Sequence, residues 1–483
     1  MTDTARRVAA GAGWLYGYRW LERLLDIVAV VVLARILSPD DFGLVAIAAS
    51  FIAIIEGLSA FDVNKALIRT RDEHRDLYDT AWTLSVLRGF VSALIMVSVA
   101  PFLTDTRIGT VLVVLSLSPL LNGLANPRFV MFERDLVYSK LAVLTLGAKL
   151  VSFSVTLVFA LITRSYWSLV LGLLAGTLMS TTLSYVLRPY RPRLTLARSS
   201  DIFAFSGWLS LTSVVTTLSM ETDKIIVGRL LGVANAGLYY MTQRVGVLPT
   251  RELISPLQRI LFPSFSELAH DKDRLRRVVL ESINVLGSLS LPAACGFALV
   301  ANDFVPLALG DPWISIVPLL TILVPYLGLR ATLSMTLPCV MALGRTRLLF
   351  WVSFLYALVH LPAFIAGTLL FGLAGSIWSI VAAGALYTYL NTWLLKRTLG
   401  LLLKEIGSQL RRPFVAAVAM IGTVAAASAV APLDLFSANG SWLSLATKVL
   451  VGGMVFSGVQ YALWRLEGRP AGIEQRLLQM LTR

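Results

Sequence analysis

Uninterrupted apolar runs of about twenty residues recur from residue 14 to residue 464 of this chain. A run of that length is what an α-helix needs to cross a bilayer, and in hydrocarbon a helix satisfies all of its own backbone hydrogen bonds. The runs are continuous rather than alternating, which excludes a β-barrel. Composition points the same way. The chain is 57% hydrophobic and 14% charged with a mean hydropathy of +0.76, more apolar than a water-soluble fold of 483 residues requires. We read fourteen spans: 14–37, 42–64, 81–103, 108–127, 141–163, 166–187, 202–231, 236–262, 279–301, 313–343, 348–370, 373–395, 413–432 and 442–464. The expected fold is therefore all-α and integral to a membrane, with about 14 transmembrane helices. The first run leads straight into others without a small-residue cleavage site, so no cleavable signal is expected.

The formal charge of +14 invites a nucleic-acid reading, but its distribution argues against one. With the N-terminus in the cytoplasm, 28 basic residues fall on inside loops and tails, among them Lys65, Arg69, Arg71, Arg75, Arg188, Arg191, Arg274, Arg412 and Arg469. Outside loops carry only Arg107 and Arg164. That asymmetry is what the positive-inside rule demands, so both termini are expected in the cytoplasm, with anionic lipid as a neighbour. The two cysteines, Cys295 and Cys339, lie inside apolar spans, and the three histidines are far apart. Neither a disulfide framework nor a metal site is expected, and no cofactor motif is present.

The chain also repeats itself. Residues 13–44 and 207–238 align without a gap at an offset of 194, sharing Gly13/Gly207, Trp14/Trp208, Leu24/Leu218, Arg35/Arg229, Leu37/Leu231 and Gly43/Gly237. A second echo, Ser165–Val170 against Ser376–Val381, stands at an offset of 211. Six spans return a chain to the side it started from. Two such units have the same orientation, related by a pseudo-twofold along the membrane normal, as transporters are built. The expected organisation is a six-helix lobe over 1–198, a second over 199–398, and two additional helices with a tail over 399–483. Spans eight to ten are rich in proline (Pro249, Pro256, Pro263, Pro292, Pro318, Pro325, Pro338), each either a hinge or a tolerated kink.

Charges inside spans are costly and belong on faces turned from lipid. Arg19, Glu22, Arg23 and Asp26 share one face of the first span by spacing. They form either an ion-pair ladder locking that helix to a neighbour or a polar stripe lining a cavity. The repeat partner, span seven, carries Glu221, Asp223 and Lys224. Span eight sets Arg244, Arg251 and Arg259 on one face, with Glu252 nearby. Arg88, Lys149 and Arg330 are lone bases, while Glu56 and Asp62 are acids of span two. The net balance is positive, which suits an anionic cargo, since arginine forks match phosphate oxygens. The acids could instead bind a coupling cation.

Gly-Trp-Leu near the start, LARILSPDDFGLVAIA at 33–48, LGVANAGLYYMTQRV at 231–245 and PLQRILFPSFSELAHDKDRLRR at 256–277 resemble the polysaccharide transporter family. These are Wzx-type flippases of the multidrug/oligosaccharidyl-lipid/polysaccharide superfamily, and the colanic-acid and succinoglycan exporters look most similar. The resemblance implies two six-helix lobes around a central cavity and alternating access. The implied cargo is an undecaprenyl-pyrophosphate-linked oligosaccharide, moved from the cytoplasmic to the periplasmic leaflet of a bacterial inner membrane. It implies basic cavity residues that meet the pyrophosphate: by position Arg19, Arg23, Lys224, Arg244, Arg251 and Arg330. Glu22, Asp26, Glu56, Glu221 and Asp223 are left as cation-coupling or ion-pair candidates. Arg35 and Arg229, at outer span ends, read as structural. The other partners to weigh are membrane lipid, H+ or Na+, and a polysaccharide polymerase with its co-polymerase; nucleic acid is not among them.

The sequence fits three function classes unequally. A flippase that breaks no covalent bond leads. A cation-coupled drug antiporter of the same fold is second and would favour acids over bases. A membrane glycosyltransferase or glycan polymerase would need a sizeable outside loop bearing acids or arginines, which this sequence lacks.

Overall fold

The short junction between the first two spans shows how local sequence sets this fold. Ser38, Pro39 and Asp41 form a reciprocal cap. The Ser38 amide and hydroxyl donate to Asp41 Oδ2 at 2.9 and 2.6 Å, and the Asp41 amide donates back to Ser38 Oγ at 3.3 Å. Proline stands in the first turn, where its missing N–H has no partner to lose. Asp41 Oδ1 also accepts the Tyr166 amide at 2.9 Å. Asp40 holds Arg107 at 2.7 Å, and Arg107 holds Asp105 at 2.9 Å. Most of the polar letters of the SPDDFG block are thus spent on ending one helix and fastening the start of three others.

The computed structural model describes residues 3–58, 67, 74–135, 137–199, 207–430 and 441–468, with backbone alone for 3–16 and a few later positions. Lys65, Arg69, Arg71, Asp62, Arg469, Arg476 and Arg483 lie outside it, as do the side chains of Arg6, Arg7, Glu252 and Arg259. The chain is all-α. Its main helices among the described residues are α1 (Asp3–Ile36), α2 (Pro39–Leu58), α3 (Arg75–Val99), α4 (Thr106–Leu115), α5 (Leu117–Gly123), α6 (Tyr138–Thr163), α7 (Trp167–Leu187) and α8 (Gly207–Leu231). Then come α9 (Val233–Gly246), α10 (Leu248–Glu267), α11 (Lys272–Ala308), α12 (Val317–Thr332), α13 (Thr336–Ala342), α14 (Thr346–Leu399), α15 (Leu403–Val430) and α16 (Trp442–Leu466). Ten helical stretches among the described residues are long and apolar enough to cross a membrane. The first, seventh and eighth predicted spans are helical too, but they carry the charges singled out above and are not among those ten. One of the ten, α14, contains the eleventh and twelfth predicted spans, which meet at Gly372 (φ 60°, ψ −143°), a backbone state open to glycine.

Several predicted spans are broken, and prolines explain where. Span four divides at Ser116, three residues before Pro119; span eight divides at Val247, two before Pro249; span ten divides at 333–335, just before Pro338. Each proline withholds the N–H that would bond four residues back. Pro292 and Pro325 leave their helices continuous.

The chain divides into two compact units, Met1–Gly237 and Leu238–Arg483. In the first, α8 packs on α2, α6 on α7 and α1 on α6. Gly43 and Gly237, matched by the repeat, lie against each other. A Cβ on Gly43 would fall 1.9 Å from the Val233 carbonyl oxygen, and one on Gly237 would fall 1.8 Å from that of Pro39. Residues 39 and 233 are themselves 194 apart, so the contact maps onto itself under the repeat. The serines of the second echo behave alike: Ser168 and Ser379 are buried, each donating to a nearby carbonyl. Beyond α7 the chain runs without regular structure across the start of α3. It is held there by Tyr190 on Asp79 (2.5 Å), the Arg193 amide on Asp79 (3.0 Å) and the Thr195 amide on Thr83 (3.1 Å).

In the second unit α11 is the spine. The last two helices, α15 and α16, dock along its length through Arg276–Glu405, Asn284 on the Gln409 carbonyl (2.8 Å) and Gln460 on Ser288 (3.3 Å). An apolar cluster of Leu291, Cys295, Ala416, Met420 and Phe456 fills the middle. Asp303 and Lys448, 2.7 Å apart, close the far end. Cys295 and Cys339 are both buried and unlinked.

Candidate functional site

A single helix places four charges on one side of α1, and the structure shows what each of them meets. Asp26 Oδ2 receives the Lys149 ammonium of α6 at 2.7 Å and stands 4.0 Å from the Arg23 guanidinium. The lone base of span five is thus the partner of the acid in span one. Asp26 and Lys149 keep 34% and 27% of their side-chain surface, so the pair borders accessible space and is not sealed. Arg19 lies 5.8 Å from the centre of the Tyr18 ring, and its Nε is buried without a hydrogen-bond partner. A buried guanidinium donor left unsatisfied is uncommon and asks for an acceptor. Glu22 sits half-buried on the same helix.

The other charges of the first unit are also organised. On α8, Lys224 donates to Glu221 at 2.5 Å, one turn away, and Asp223 is buried. On α2, Glu56 is hydrogen-bonded to Asn122 and faces Arg88 of α3. Next to it Gly57 packs on Thr217 of α8, where a Cβ would stand 3.0 Å from the threonine methyl. The first unit therefore holds its candidates in three charged groups, on α1 with Lys149, on α2 with Arg88 and on α8; sequence spacing left Arg88 and Lys149 as lone bases.

The candidates of the second unit stand in separate surroundings. Arg244 donates to the Tyr240 hydroxyl at 2.7 Å and is exposed, as is Arg251 in the first turn of α10. Arg330 is set among phenols. Its guanidinium lies 4.8 Å above the Tyr387 ring, with Tyr326 and Tyr356 around it, and among the described residues no carboxylate pairs with it. The Tyr326 hydroxyl is buried and faces the Arg330 guanidinium. An apolar notch of about 360 Å³ beside Gly367 and Trp378 has no charged side chain and offers an anion nothing.

Sequence reasoning missed the pair Asp303–Lys448. Lys448 is a base inside an apolar span, and such a base needs a buried acid, but that acid is 145 residues away. Among the described residues no cluster of three or more His, Cys, Asp or Glu is placed to hold a metal ion.

Residues 32–318 match the family of polysaccharide biosynthesis proteins. The chain belongs to that family. The match spans the blocks at 33–48, 231–245 and 256–277 on which the resemblance rested. Among its relatives, the lipopolysaccharide biosynthesis protein WzxC of Escherichia coli K12 is 28% identical over 409 residues, 81% of each chain. The succinoglycan biosynthesis transport protein ExoT of Rhizobium meliloti is 24% identical over 380 residues, 76% of each chain. The fold is similar to that of the lipid II flippase MurJ in an inward closed conformation. The TM-score is 0.72 at 13% identity, covering 93% of this chain and 98% of that one. At such identity the likeness speaks for the fold alone. The family member described here is a multi-pass, all-α membrane protein.

Proposed function

We propose that this chain is a flippase for lipid-linked oligosaccharide. Its cargo would be an undecaprenyl-pyrophosphate-linked repeat unit, carried across a bacterial inner membrane for exopolysaccharide or lipopolysaccharide assembly. It is a transporter and breaks no covalent bond. Family membership and relatives named for polysaccharide biosynthesis and transport support the cargo class. The observation that carries the site is Arg19 Nε, buried without a hydrogen-bond partner on the face that also bears Arg23. Guanidinium forks suit pyrophosphate oxygens, and in a partly dehydrated cavity each such contact is stronger than in water.

In this reading Arg19 and Arg23 hold the pyrophosphate and the glycan head occupies the hydrophilic path while the polyprenyl tail stays in lipid. Arg244, Arg251 and Arg330, in the second unit, are further candidate contacts for an anionic cargo. Lys224, tied to Glu221, tunes the charge of the same unit. A coupling H+ or Na+ would fall to Glu22, Glu56, Glu221 or Asp223. The loop charge asymmetry supports cytoplasmic termini. The six-helix repeats over 1–198 and 199–398 supply the two alternating lobes, and a polymerase with its co-polymerase would receive the cargo.

The test is leaflet accessibility. Purified protein is placed in liposomes with a fluorescent polyprenyl-pyrophosphate oligosaccharide, and an external reagent reports how much headgroup has crossed. Crossing that needs the pyrophosphate and disappears in Arg23→Ala supports cargo and site together. Full crossing by folded Arg23→Ala removes the site assignment, and no crossing by wild type removes the cargo.

A further inference from the structure

We propose that Lys149 is a positioning residue for cargo: by engaging Asp26 it turns the balanced charged face of α1 into a net-positive oxyanion site. This rests on the reading of that face as the cargo site. Taken alone the face is neutral, with Arg19 and Arg23 against Glu22 and Asp26. An electrically balanced ladder has little reason to attract a pyrophosphate. Lys149 alters that balance. Its ammonium reaches Asp26 Oδ2 at 2.7 Å, the length of a charge-assisted hydrogen bond, whereas Arg23 stands off the same oxygen at 4.0 Å. Asp26 is therefore held more closely by α6 than by its own helix neighbour, and with Lys149 counted the five named side chains sum to one positive charge.

The surroundings support the assignment. Apart from Lys149, α6 carries one charged residue, Lys140 in its first turn, whose ammonium lies 5.5 Å over the Phe132 ring. No acid on α6 offsets Lys149. Both members of the pair keep part of their surface accessible, so their charges are felt in the neighbouring space. Across one helix spacing, at the effective dielectric of a partly wet site, one unit charge changes oxyanion affinity by about ten- to thirtyfold.

The experiment is a charge-balance cycle read by binding. Full-length protein in nanodiscs is titrated with the fluorescent polyprenyl-pyrophosphate oligosaccharide. A second probe carries a neutral linker in place of the pyrophosphate. Lys149→Met should weaken the pyrophosphate probe about ten- to thirtyfold and leave the neutral probe unchanged; Lys149→Arg should restore binding. The deciding variant is Lys149→Met with Asp26→Asn. It lacks the pair but regains the same net charge, so it should bind within about threefold of wild type. If the double variant stays as weak as Lys149→Met, the lysine acts by touching cargo or bracing α1, and the proposal is overturned. Equal loss of both probes overturns it as well. If wild type itself ignores the pyrophosphate, the flippase reading fails first, an outcome distinct from wild-type binding that Lys149→Met leaves intact.

Discussion

Two Asp–Lys pairs in this molecule have the same separation, 2.7 Å, and opposite settings. Asp26–Lys149, in the first unit, retains about a third of its side-chain surface. Asp303–Lys448, in the second, retains 0% and 8%. Distance alone would rank them equal. Burial separates them. A pair that keeps part of its surface accessible can trade partners at smaller cost, because its surroundings can replace what is lost. A sealed pair cannot, since removing one member strands the other charge where nothing solvates it. Under the proposed function the accessible pair is the one that serves cargo, while the sealed pair fastens the last helix to α11.

The largest effect that can break this contrast is Lys448→Met. It should destabilise the fold by about 3–5 kcal/mol, read as a lower thermal midpoint and a poorer yield of monodisperse protein. Replacing both Asp303 and Lys448 by leucine should recover most of that loss. A folded Lys448→Met protein that binds cargo normally but no longer moves it would reverse the roles assigned to the two pairs.

Next is a steric lesion that involves no charge. Gly43→Ala drives a methyl group into the Val233 carbonyl, and the helices must part, at about 1–3 kcal/mol. Its thermal shift calibrates what a packing defect in the first unit does, against which the charge variants there are judged. Lys149→Met should then cost less than about 1 kcal/mol in the same assay while cargo binding falls. A stability loss as large as that of Lys448→Met would erase the distinction.

The smallest effect is acid-dependent. Hydrogen bonds from Arg107 hold the Asp105 carboxyl below its ordinary value. A depressed carboxylate contributes stability above its unfolded value and loses it as pH falls through the lowered one. The thermal midpoint of wild type should therefore drop below about pH 4 by slightly more than that of Arg107→Gln. Equal slopes for the two would show that this clamp contributes nothing.

Much of the scaffold was legible in the sequence because it is encoded locally. Twenty-residue apolar runs mark helices wherever backbone polar groups must be satisfied internally. Ser38, Pro39 and Asp41 announce a helix start, and the boundary read between 370 and 373 falls on the Gly372 kink. The helix breaks before Pro119, Pro249 and Pro338 were harder, because Pro292 and Pro325 look the same in sequence and break nothing. Which proline interrupts depends on the neighbours available to satisfy the freed carbonyl. The site was half legible. Spacing put Arg19, Glu22, Arg23 and Asp26 on one face but could not say whom Asp26 would meet. The answer lies 123 residues away, in a helix with no repeat signature of its own. Long-range charge pairing leaves no local pattern, so Lys149 read only as a lone base and Lys448 was not singled out at all.

The reciprocal contact of Gly43 and Gly237 has a consequence for ancestry. A patch that meets its own copy, with each member touching the other's equivalent, is what a symmetric homodimer produces. A chain whose halves descend from such a dimer inherits that arrangement within one polypeptide, freed from equal sequence but not from complementary shape. Drift at position 43 must then be answered at 233 and 237, and drift at 237 at 39 and 43. Across relatives, these positions should change as linked sets or stay small together, even where the two halves have lost every other trace of common origin.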